Sequence, residues 1–321
     1  MAEPLQPGAR IGILGGGQLG RMLVMAAARL GFVCHIYEPE DRPPAAQVAA
    51  RLTTASYTDT DALMAFARAV DVITYEFENI PVSALDQLQK ITPVRPGIDA
   101  LTVSQDRLSE KEFLNNLGLA TTAFAAVQGP DALRRAVTRI GTPSILKTRR
   151  FGYDGKGQIA IRSRADTASA AQKMADTPAI LEAFVDFSHE VSVIGARNPD
   201  GQIACYDPGQ NVHKSGVLHS TTLPAELTAT QRTDAILMTA KILNALDYVG
   251  VLGVEFFVTP DGLIINEIAP RVHNSGHWTQ NGCAIDQFEQ HIRAIAGWPL
   301  GDATRLVDIQ MINLIGHDID R

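Results

Sequence analysis

The first hundred residues alternate short apolar runs with amphipathic stretches, a pattern that predicts βαβ units around a parallel sheet. The first predicted strand is Ile11–Leu14, and the glycines that follow it predict a tight turn into a helix over Gln18–Leu30. Two more strands are predicted at Val33–Tyr37 and Val72–Tyr75. The N-terminal third is therefore predicted to be an α/β domain.

The pattern changes beyond residue 105. Strands predicted at Pro143–Lys147 and Gln158–Ile161 flank a glycine-rich, basic connection, and with neighbouring helices they predict a small α+β module. From Glu190 onward the predicted strands are mostly antiparallel. We therefore predict three segments, an α/β domain over 1–105, a small module over 106–185 and a larger antiparallel domain over 186–321.

Two glutamates are placed symmetrically about a predicted hairpin. Pro260–Gly262 is a strong turn signal, and Glu255 and Glu267 are equidistant from Asp261 in sequence. With that loop the two carboxylates oppose each other on one sheet face, where like charges are destabilising and a divalent cation would compensate. A shifted register, or one glutamate turned to solvent, is the alternative.

A glycine turn near the N-terminus supports a different hypothesis. Gly15, Gly17 and Gly20 fit the G-x-G-x-x-G pattern between a strand and a helix, and Glu38 ends the next strand. A dinucleotide-binding fold places its ribose-binding acid at that position, so one hypothesis is that the protein is an NAD-dependent oxidoreductase. The same turn also serves a helix that only packs closely or meets another phosphate.

The segment 147–158 combines positive charge with glycine. Gly152, Gly155 and Gly157 leave backbone N–H groups accessible to phosphate oxygens, beside Lys147 and Lys156. The P-loop spacing is absent. A solvated, basic hairpin tip is the alternative interpretation.

The segment 270–277 also carries candidate chemistry. Arg271 suits bidentate recognition of an anion, and His273 is a better candidate for proton transfer than His35 or His291, because it is close in sequence to the two-glutamate hairpin.

Charge and composition narrow the class of protein. The formal net charge of −7 argues against a nucleic-acid or anionic-membrane partner. Three widely spaced cysteines without metal-site spacing, and an N-terminus unlike a signal peptide, favour a reduced cytoplasm. The most apolar early stretch, Leu23–Val33, is too short to span a bilayer.

Taken together, these motifs resemble the ATP-grasp superfamily and, within it, the 5-(carboxyamino)imidazole ribonucleotide synthases of purine biosynthesis. The resemblance runs from Ile11 to about Gly316. It rests on Gly15–Arg21, Glu76–Glu78, Lys147, Gly152–Gln158, Asn266–Glu267 and Ala269–Gln280.

The resemblance implies an ATP-grasp fold with an N-terminal parallel-sheet (pre-ATP-grasp) domain, a small lid and a larger antiparallel-sheet domain. It implies a homodimeric ligase that uses ATP and Mg²⁺ (or Mn²⁺). Bicarbonate and ATP would form carboxyphosphate, and 5-aminoimidazole ribonucleotide would be carboxylated to N-carboxyaminoimidazole ribonucleotide, with ADP and phosphate released.

The resemblance also assigns residues, as follows. The nucleotide site would comprise Arg107, Lys147, Gly152, Tyr153, Asp154, Gly155, Lys156, Gly157, Gln158, Glu182, Ala183, Phe184, Val185, Glu190, His213, Asn266 and Glu267. Glu255 and Glu267 would bind the metal. The ribonucleotide and bicarbonate would contact Gln18, Leu19, Glu76, Tyr153, Asp154, Lys156, Arg271, His273, Asn274 and Ser275. The catalytic residues would be Arg271, His273, Lys156 and Asp154.

Two further expectations follow from the resemblance. A sister enzyme that activates formate and transfers it to glycinamide ribonucleotide would be expected to carry an acid at the position of Asn274, so the amide favours the imidazole substrate. Family members usually continue beyond Gly316 into a small basic module, whereas this sequence ends at Arg321. We therefore expect this chain to bind Mg·ATP or ADP but to turn over poorly; a non-catalytic nucleotide sensor is the further alternative.

Overall fold

A computed structural model describes residues 3–152 and 157–316, which fold around three β-sheets. The N-terminal sheet is parallel with the order β3-β2-β1-β4. Its strands are β1 (Arg10–Leu14), β2 (Val33–Glu38), β3 (Arg51–Thr54) and β4 (Val72–Tyr75). The helices beside it are α1 (Gln18–Arg29), α2 (Thr60–Ala67), α3 (Val82–Leu88) and α4 (Ile98–Ser104). The predicted parallel sheet is confirmed.

The second sheet has four antiparallel strands in the order β5-β8-β6-β7. They are β5 (Phe124–Val127), β6 (Ser144–Thr148), β7 (Gln158–Ile161) and β8 (Ala179–Ala183). Helix α5 (Arg107–Asn116) precedes it, and α6 (Gly129–Ile140) and α7 (Thr167–Met174) pack on it. The module has a hydrophobic core of its own, which includes Leu133, Leu146 and Leu181. We refer to this sheet with α6 and α7 as the lid.

The third and largest sheet runs β14-β13-β9-β11-β12-β15, with β10 paired to β9. Its strands are β9 (His189–Arg197), β10 (Ile203–Cys205), β11 (Gly209–Lys214), β12 (Val217–Leu223), β13 (Gly250–Thr259), β14 (Gly262–Ala269) and β15 (Ile309–Ile312). The helices here are α8 (Ala229–Ala245), α9 (Thr279–Gly282) and α10 (Gln287–Ile295). All pairings within it are antiparallel, as predicted.

One continuous core joins the N-terminal and largest sheets. Ile11 and Leu23 of the first domain share a buried cluster with Val251, Phe288 and Ile292 of the third. A buried hydrogen bond of 2.8 Å between Thr74 Oγ1 and His291 Nε2 crosses the same boundary. These two parts therefore form one packed body, and the lid, which has its own hydrophobic core, lies beside it.

The β13–β14 hairpin differs in detail from its prediction. Its loop is the two residues Pro260 and Asp261, because Thr259 already pairs with Gly262. Continued without interruption, that register would set Glu255 opposite Asn266. A β-bulge after Glu255 shifts the pairing by one residue and brings Glu255 opposite Glu267. The predicted carboxylate pair is confirmed, but the bulge produces it rather than a three-residue loop.

Two observations bear on the cellular setting. In the part of the chain that the structure describes, no helix is long and apolar enough to cross a membrane. All three cysteines are unpaired, with Cys34 and Cys283 buried and Cys205 partly exposed.

Candidate active site

A cavity of about 720 Å³ lies where the three sheets converge, and each of them contributes to its wall. Gln18 comes from the N-terminal domain, Lys147 from the lid and Glu255 from the largest sheet. The predicted site residues that line it are Gln18, Leu19, Glu76, Arg107, Lys147, Gly152, Gln158, Glu190, His213, Glu255, Asn266, Glu267, Arg271, His273 and Asn274. Residues from segments far apart in sequence thus share one cavity.

Several predicted residues are not on this wall. Tyr153, Asp154, Gly155 and Lys156, which belong to the glycine-rich segment 147–158, lie outside the described residues. Gly157 and Phe184 are exposed, Ala183 and Val185 are partly exposed, and Glu182 and Ser275 are buried behind the wall. The side chains of Glu182 and Ser275 are hydrogen-bonded inside the protein, so Ser275 does not face a ligand directly as predicted. The resemblance assigns Glu182 a nucleotide contact largely through its backbone, and that contact stays a prediction.

One face of the largest sheet carries the acidic chemistry. In one row Glu267, Glu255 and Ser192 lie directly opposite one another across β14, β13 and β9. In the next row Phe257 of β13 is opposite Glu190 of β9. Because side chains on a strand alternate between faces, Glu255 and Phe257 point to the same side. The sheet therefore aligns a carboxylate pair with an aromatic surface.

The paired carboxylates are electrostatically unequal. Burial, then the adjacent charge of Glu267, raises the pKa of Glu255 to about 7. Burial also acts to raise the pKa of Glu267, but the Arg107 guanidinium outweighs it and lowers that pKa. Arg107 Nη1 lies 3.1 Å from Glu267 Oε2, and Asn266 Nδ2 donates to Glu255 Oε2 at 3.4 Å.

These two carboxylates fit a divalent cation. Burial and the neighbouring Glu267 charge both disfavour the ionised form of Glu255, as its raised pKa shows, and a cation between the two carboxylates would relieve that cost. Within residues 3–152 and 157–316, no cluster of three or more His, Cys, Asp or Glu side chains is arranged to hold a metal. Two carboxylates alone match Mg²⁺, which usually takes one or two carboxylates together with substrate phosphates and water.

Replacing Glu255 by glutamine should stabilise the metal-free protein at alkaline pH. The pKa of Glu255 is about 7 in the fold and 4.5 for a free glutamate, so the folded state holds a proton that the unfolded state loses. Stability therefore falls as pH rises from about 4.5 to 7, and the cost persists above that range. At pH 8 we expect Glu255→Gln to gain on the order of 1–3 kcal/mol, with little gain at pH 4.

Urea unfolding of the metal-free proteins at both pH values measures this effect. Asp261→Asn is the matched control, because Asp261 is an exposed acid at the tip of the same hairpin. An equal effect of Glu255→Gln at pH 4 and pH 8 would contradict the assigned titration.

Behind the acidic face lies a buried ion-pair cluster. Lys147 Nζ of the lid lies 2.7 Å from Glu182 Oε2, and Lys111 Nζ of α5 lies 3.8 Å from Glu182 Oε1. Lys111 Nζ also donates to the carbonyl oxygen of Asn266 on β14, at 2.9 Å. Glu182 therefore positions Lys147 at the cavity wall and links the lid to the strand that carries Glu267.

The far end of the cavity is partly aromatic. Phe187 and Phe257 stack with ring centroids 4.6 Å apart, and Ile145 and Leu218 also line the wall. Glu190 forms an ion pair with His213 beside them, which raises the pKa of His213 although burial acts to lower it. Sequence analysis missed Phe187 and Phe257, although the two-residue spacing of Phe257 from Glu255 was available as a signal.

The glycine turn before α1 is occupied by carboxylates of the chain itself. Glu76 accepts hydrogen bonds from the backbone N–H groups of Gly17 and Gly20, and Glu38 accepts from Gly16 N at 2.8 Å. Burial raises the pKa of Glu76, and the two N–H groups oppose that shift. A dinucleotide pyrophosphate would need the same N–H groups and would meet two acids there. The site predicted for NAD is therefore not a pyrophosphate site.

Arg271 faces the cavity as part of a fork-like ion pair. Its Nε and Nη2 both bind the carboxylate of Glu78, the second at 3.2 Å. Burial acts to lower the pKa of Arg271, but Glu78 raises it. The pair joins the segment after β4 to the segment after β14. Glu78 was quoted in the motif but not predicted as a site residue, and it lines the cavity.

His273 is held in place from two sides. Gln287 Oε1 accepts from His273 N at 2.9 Å, and Gln287 Nε2 donates to His273 O at 2.7 Å. On the other side the His273 side chain packs on Gly253 of β13. Burial, then the charge of Arg271, lowers the pKa of His273 to about 3. Its Nε2 lies 3.7 Å from Glu255 Oε1.

Substituting alanine for Gly253 should displace His273. A Cβ at that position would lie 2.9 Å from His273 Cβ, which no side-chain rotation can move, and 3.1 Å from Cγ. We expect a loss of about 1–3 kcal/mol in the free energy of unfolding and a clear fall in ATP turnover. Gly97→Ala is the control, since a Cβ there meets nothing within 4 Å, and it should cost below about 1 kcal/mol. Equal stability and turnover in both variants would refute the packing argument.

Two known domain families match this chain. The ribonucleotide synthetase preATP-grasp domain family matches residues 9–105, and the ATP-grasp domain family matches residues 112–288. Fold and cavity thus define an ATP-grasp protein: two sheets facing a shared cleft, a third sheet beside them, and carboxylates opposite basic residues.

Similar proteins show which group of ATP-grasp proteins this chain resembles. A curated N5-carboxyaminoimidazole ribonucleotide synthase from Brucella melitensis is 53% identical over 320 residues, which cover 99% of this chain and 88% of that protein. The crystal structure of an ADP complex of an N5-carboxyaminoimidazole ribonucleotide synthetase matches with a TM-score of 0.97 and 41% identity, over 100% of this chain and 85% of the other. The crystal structure of the Aspergillus clavatus synthase in complex with ADP and 5-aminoimidazole ribonucleotide matches with a TM-score of 0.90 and 30% identity. The match covers 97% of this chain and 83% of the other. The chain belongs to the N5-carboxyaminoimidazole ribonucleotide synthase family.

Proposed function

We propose that this protein uses ATP and bicarbonate to carboxylate the exocyclic amine of 5-aminoimidazole ribonucleotide, and that it releases ADP, phosphate and N5-carboxyaminoimidazole ribonucleotide. The observation that carries the proposal is the opposition of Glu255 and Glu267 in one cavity with Arg107 and Lys147. This arrangement fits a triphosphate with its metal ion at one end. The polar wall around Arg271 and His273 leaves room for an acceptor at the other.

In the first step a bicarbonate oxygen attacks the γ-phosphorus of ATP. A P–O bond forms to bicarbonate as the bond between the γ-phosphorus and the ADP oxygen breaks, which gives carboxyphosphate and ADP. Lys147 and Arg107 neutralise the charge that spreads over the phosphoryl oxygens. Glu182 keeps the Lys147 ammonium at the wall, and Glu267 orients the Arg107 guanidinium.

Glu255 and Glu267 would hold Mg²⁺ or Mn²⁺, with Asn266 fixing the orientation of Glu255. When bound, such an ion would supply positive charge that offsets the negative charge of the phosphate oxygens.

In the second step the C–O bond of carboxyphosphate breaks to give CO₂ and phosphate. The exocyclic amine of the ribonucleotide attacks the carbon of CO₂, so that a C–N bond forms as one C=O bond becomes the C–O⁻ of the carboxylate. The released phosphate takes the proton that the nitrogen loses. Arg271, His273 and Asn274 lie on the wall where we place this acceptor, and Gln18, Leu19 and Glu76 line the same cavity. A closed lid would exclude the water that otherwise consumes the intermediate. The predicted contributions of Asp154 and Lys156 belong to this stage and stay predictions.

The aromatic end of the cavity suits the nucleotide base. Phe187, Phe257, Ile145 and Leu218 offer an apolar surface, while Glu190 beside His213 offers a carboxylate acceptor for ribose hydroxyls. The resemblance places Glu182 to Val185 along the adenine, largely through backbone hydrogen bonds. That role is compatible with the cavity, since none of those side chains lines it.

The structure also bears on the formate-dependent alternative. Asn274 lines the cavity, and its Oδ1 accepts a hydrogen bond from Ser275 N at 2.9 Å, so the amide oxygen is already engaged within the chain. A substrate ammonium would need an acceptor there. This orientation of the amide favours a substrate without a primary ammonium group, such as 5-aminoimidazole ribonucleotide.

Phosphate release from ATP tests the proposal directly. We expect slow release with bicarbonate alone, and stimulation by 5-aminoimidazole ribonucleotide with one carboxylated product per ADP. Glycinamide ribonucleotide with formate, and NAD⁺ or NADH, are the comparison substrates. Stimulation by glycinamide ribonucleotide instead, or redox turnover of a nicotinamide, would replace the proposal with that alternative.

We also propose a homodimer in the cytoplasm, on the resemblance and the unpaired cysteines. Light scattering of the purified protein would measure its mass. A monomer at micromolar concentration would contradict the dimer.

A further inference from the structure

A row of buried hydroxyl and amide groups lies behind His273, on the side away from the cavity. His273 Nδ1 lies 2.8 Å from Ser275 Oγ, and Ser275 Oγ lies 2.7 Å from Ser192 Oγ. Asn211 Nδ2 lies 2.9 Å from Ser192 Oγ, and Thr221 Oγ1 lies 2.9 Å from Asn211 Oδ1. All four supporting side chains are at most 4% exposed. The row crosses from the segment after β14 through β9 and β11 to β12.

The row has a direction, which its one amide sets. The NH₂ group of Asn211 can only donate, so Ser192 Oγ accepts from it and directs its own proton to Ser275. Ser275 Oγ accepts that proton and must place its own on another acceptor. Among the described residues, its remaining hydrogen-bond partner is His273 Nδ1. Nδ1 therefore accepts and carries no proton.

The opposite side of the ring favours the same arrangement. His273 Nε2 faces Glu255 Oε1 at 3.7 Å. If Asn211 were turned by 180°, every bond in the row would reverse and Nδ1 would hold the proton. Nε2 would then present a lone pair, rather than a donor, toward Glu255 Oε1. The orientation of the Asn211 amide therefore decides the tautomer, and the Nε2–H form is the one that directs a donor into the cavity.

We propose that Thr221, Asn211, Ser192 and Ser275 are positioning residues that hold His273 as the neutral Nε2–H tautomer. This rests on the proposed function, which places His273 beside the acceptor. In that state His273 donates a hydrogen bond into the cavity, toward Glu255 or an oxygen of bicarbonate, and is not a proton acceptor at Nε2. Ser275, predicted from the sequence to touch substrate, acts instead through His273.

The tautomer can be read without any substrate. In protein labelled with ¹⁵N in histidine, two-bond nitrogen–proton correlation spectra distinguish a protonated ring nitrogen from an unprotonated one. The His273→Gln spectrum identifies the signal of His273 by its absence. We expect Nε2 protonated and Nδ1 unprotonated in the wild-type protein at pH 7.5. A protonated Nδ1 would overturn the proposal, whatever the activity assay shows.

Asn211→Asp tests the direction of the row. A carboxylate can only accept here, so Ser192 would donate to it, Ser275 would donate to Ser192, and His273 Nδ1–H would donate to Ser275. We expect the tautomer to switch to Nδ1–H, and kcat for phosphate release to fall about 10- to 100-fold, with the KM for ATP little changed. Ser192→Ala, which removes the donor to Ser275, should give a mixture of tautomers and an intermediate fall in kcat.

Thr239→Val is the matched control. Thr239 is also fully buried, and its hydroxyl donates to Ala235 O within α8, away from the row. It should lose stability without a change of tautomer. If Asn211→Asp fails to fold, Ser192→Ala and the wild-type spectrum still decide the question. A fall in kcat in the row variants with the wild-type tautomer retained would show a purely structural role and would overturn the proposal.

Discussion

Glu267→Gln should abolish metal-dependent ATP turnover, with a fall in kcat of about 100-fold or more while the fold is retained. Glutamine keeps the size of the side chain but removes the charge opposite Glu255 and the ionic partner of Arg107. Both the metal and the guanidinium that faces the phosphates would lose their anchor. Phosphate release measured over a range of Mg²⁺ concentrations gives the effect.

The control for this variant is Asp261→Asn, which removes a charge from the exposed tip of the same hairpin. It should turn over ATP at the wild-type rate. Circular dichroism must show the same secondary structure in both proteins. Unchanged turnover of Glu267→Gln at low Mg²⁺ would remove the metal assignment altogether.

Glu182→Gln should produce the largest loss of stability, about 3 kcal/mol or more. Glu182 is 3% exposed and lies between the ammonium groups of Lys147 and Lys111, the latter 2% exposed. Neutralising the carboxylate leaves two positive charges facing each other with little solvent to screen them. Because Lys111 also donates to Asn266 O, the strand that carries Glu267 should loosen with it.

Urea unfolding followed by circular dichroism measures this loss. The comparison is Asp131→Asn, whose ion pair with Arg134 on α6 is exposed and should change stability by less than about 1 kcal/mol. The double variant Glu182→Gln/Lys111→Met should recover part of the loss, because it removes one of the unpaired charges. Equal stability of Glu182→Gln and Asp131→Asn would show that the buried cluster does not hold the lid.

Hydrophobic periodicity was sufficient to predict the main elements. Alternation of apolar and amphipathic segments predicted β1, α1, β2 and β4, since a strand buried on both faces must be apolar along its length. Strand β3 was missed because Arg51–Thr54 is a short, polar edge strand. Strands β5 and β8 of the lid were missed as well, since their sequences, FAAV and AILEA, are rich in alanine, which is depleted in strands.

The candidate site was likewise only partly predictable from the sequence. Residue type and local spacing were enough to nominate Glu255, Glu267, Lys147 and Arg271 as groups for anion and metal chemistry, since charge and donor geometry belong to the side chain itself. What each group faces depends on contacts between residues distant in sequence. The glycine turn is an example. Its sequence matches a dinucleotide-binding motif, but in the structure the carboxylates of Glu76 and Glu38 accept the hydrogen bonds of its backbone N–H groups.

The sequence by itself determined the class of fold, the family and the groups that carry charge, because these depend on local pattern and on motif identity. Only the tertiary structure decided which of those groups reach the cavity. It turned Glu182 and Ser275 inward as supports, and it supplied the bulge that sets Glu255 opposite Glu267. The physical reason is that burial, hydrogen-bond direction and like-charge repulsion act over a few ångströms in space, where neighbours come from different sheets.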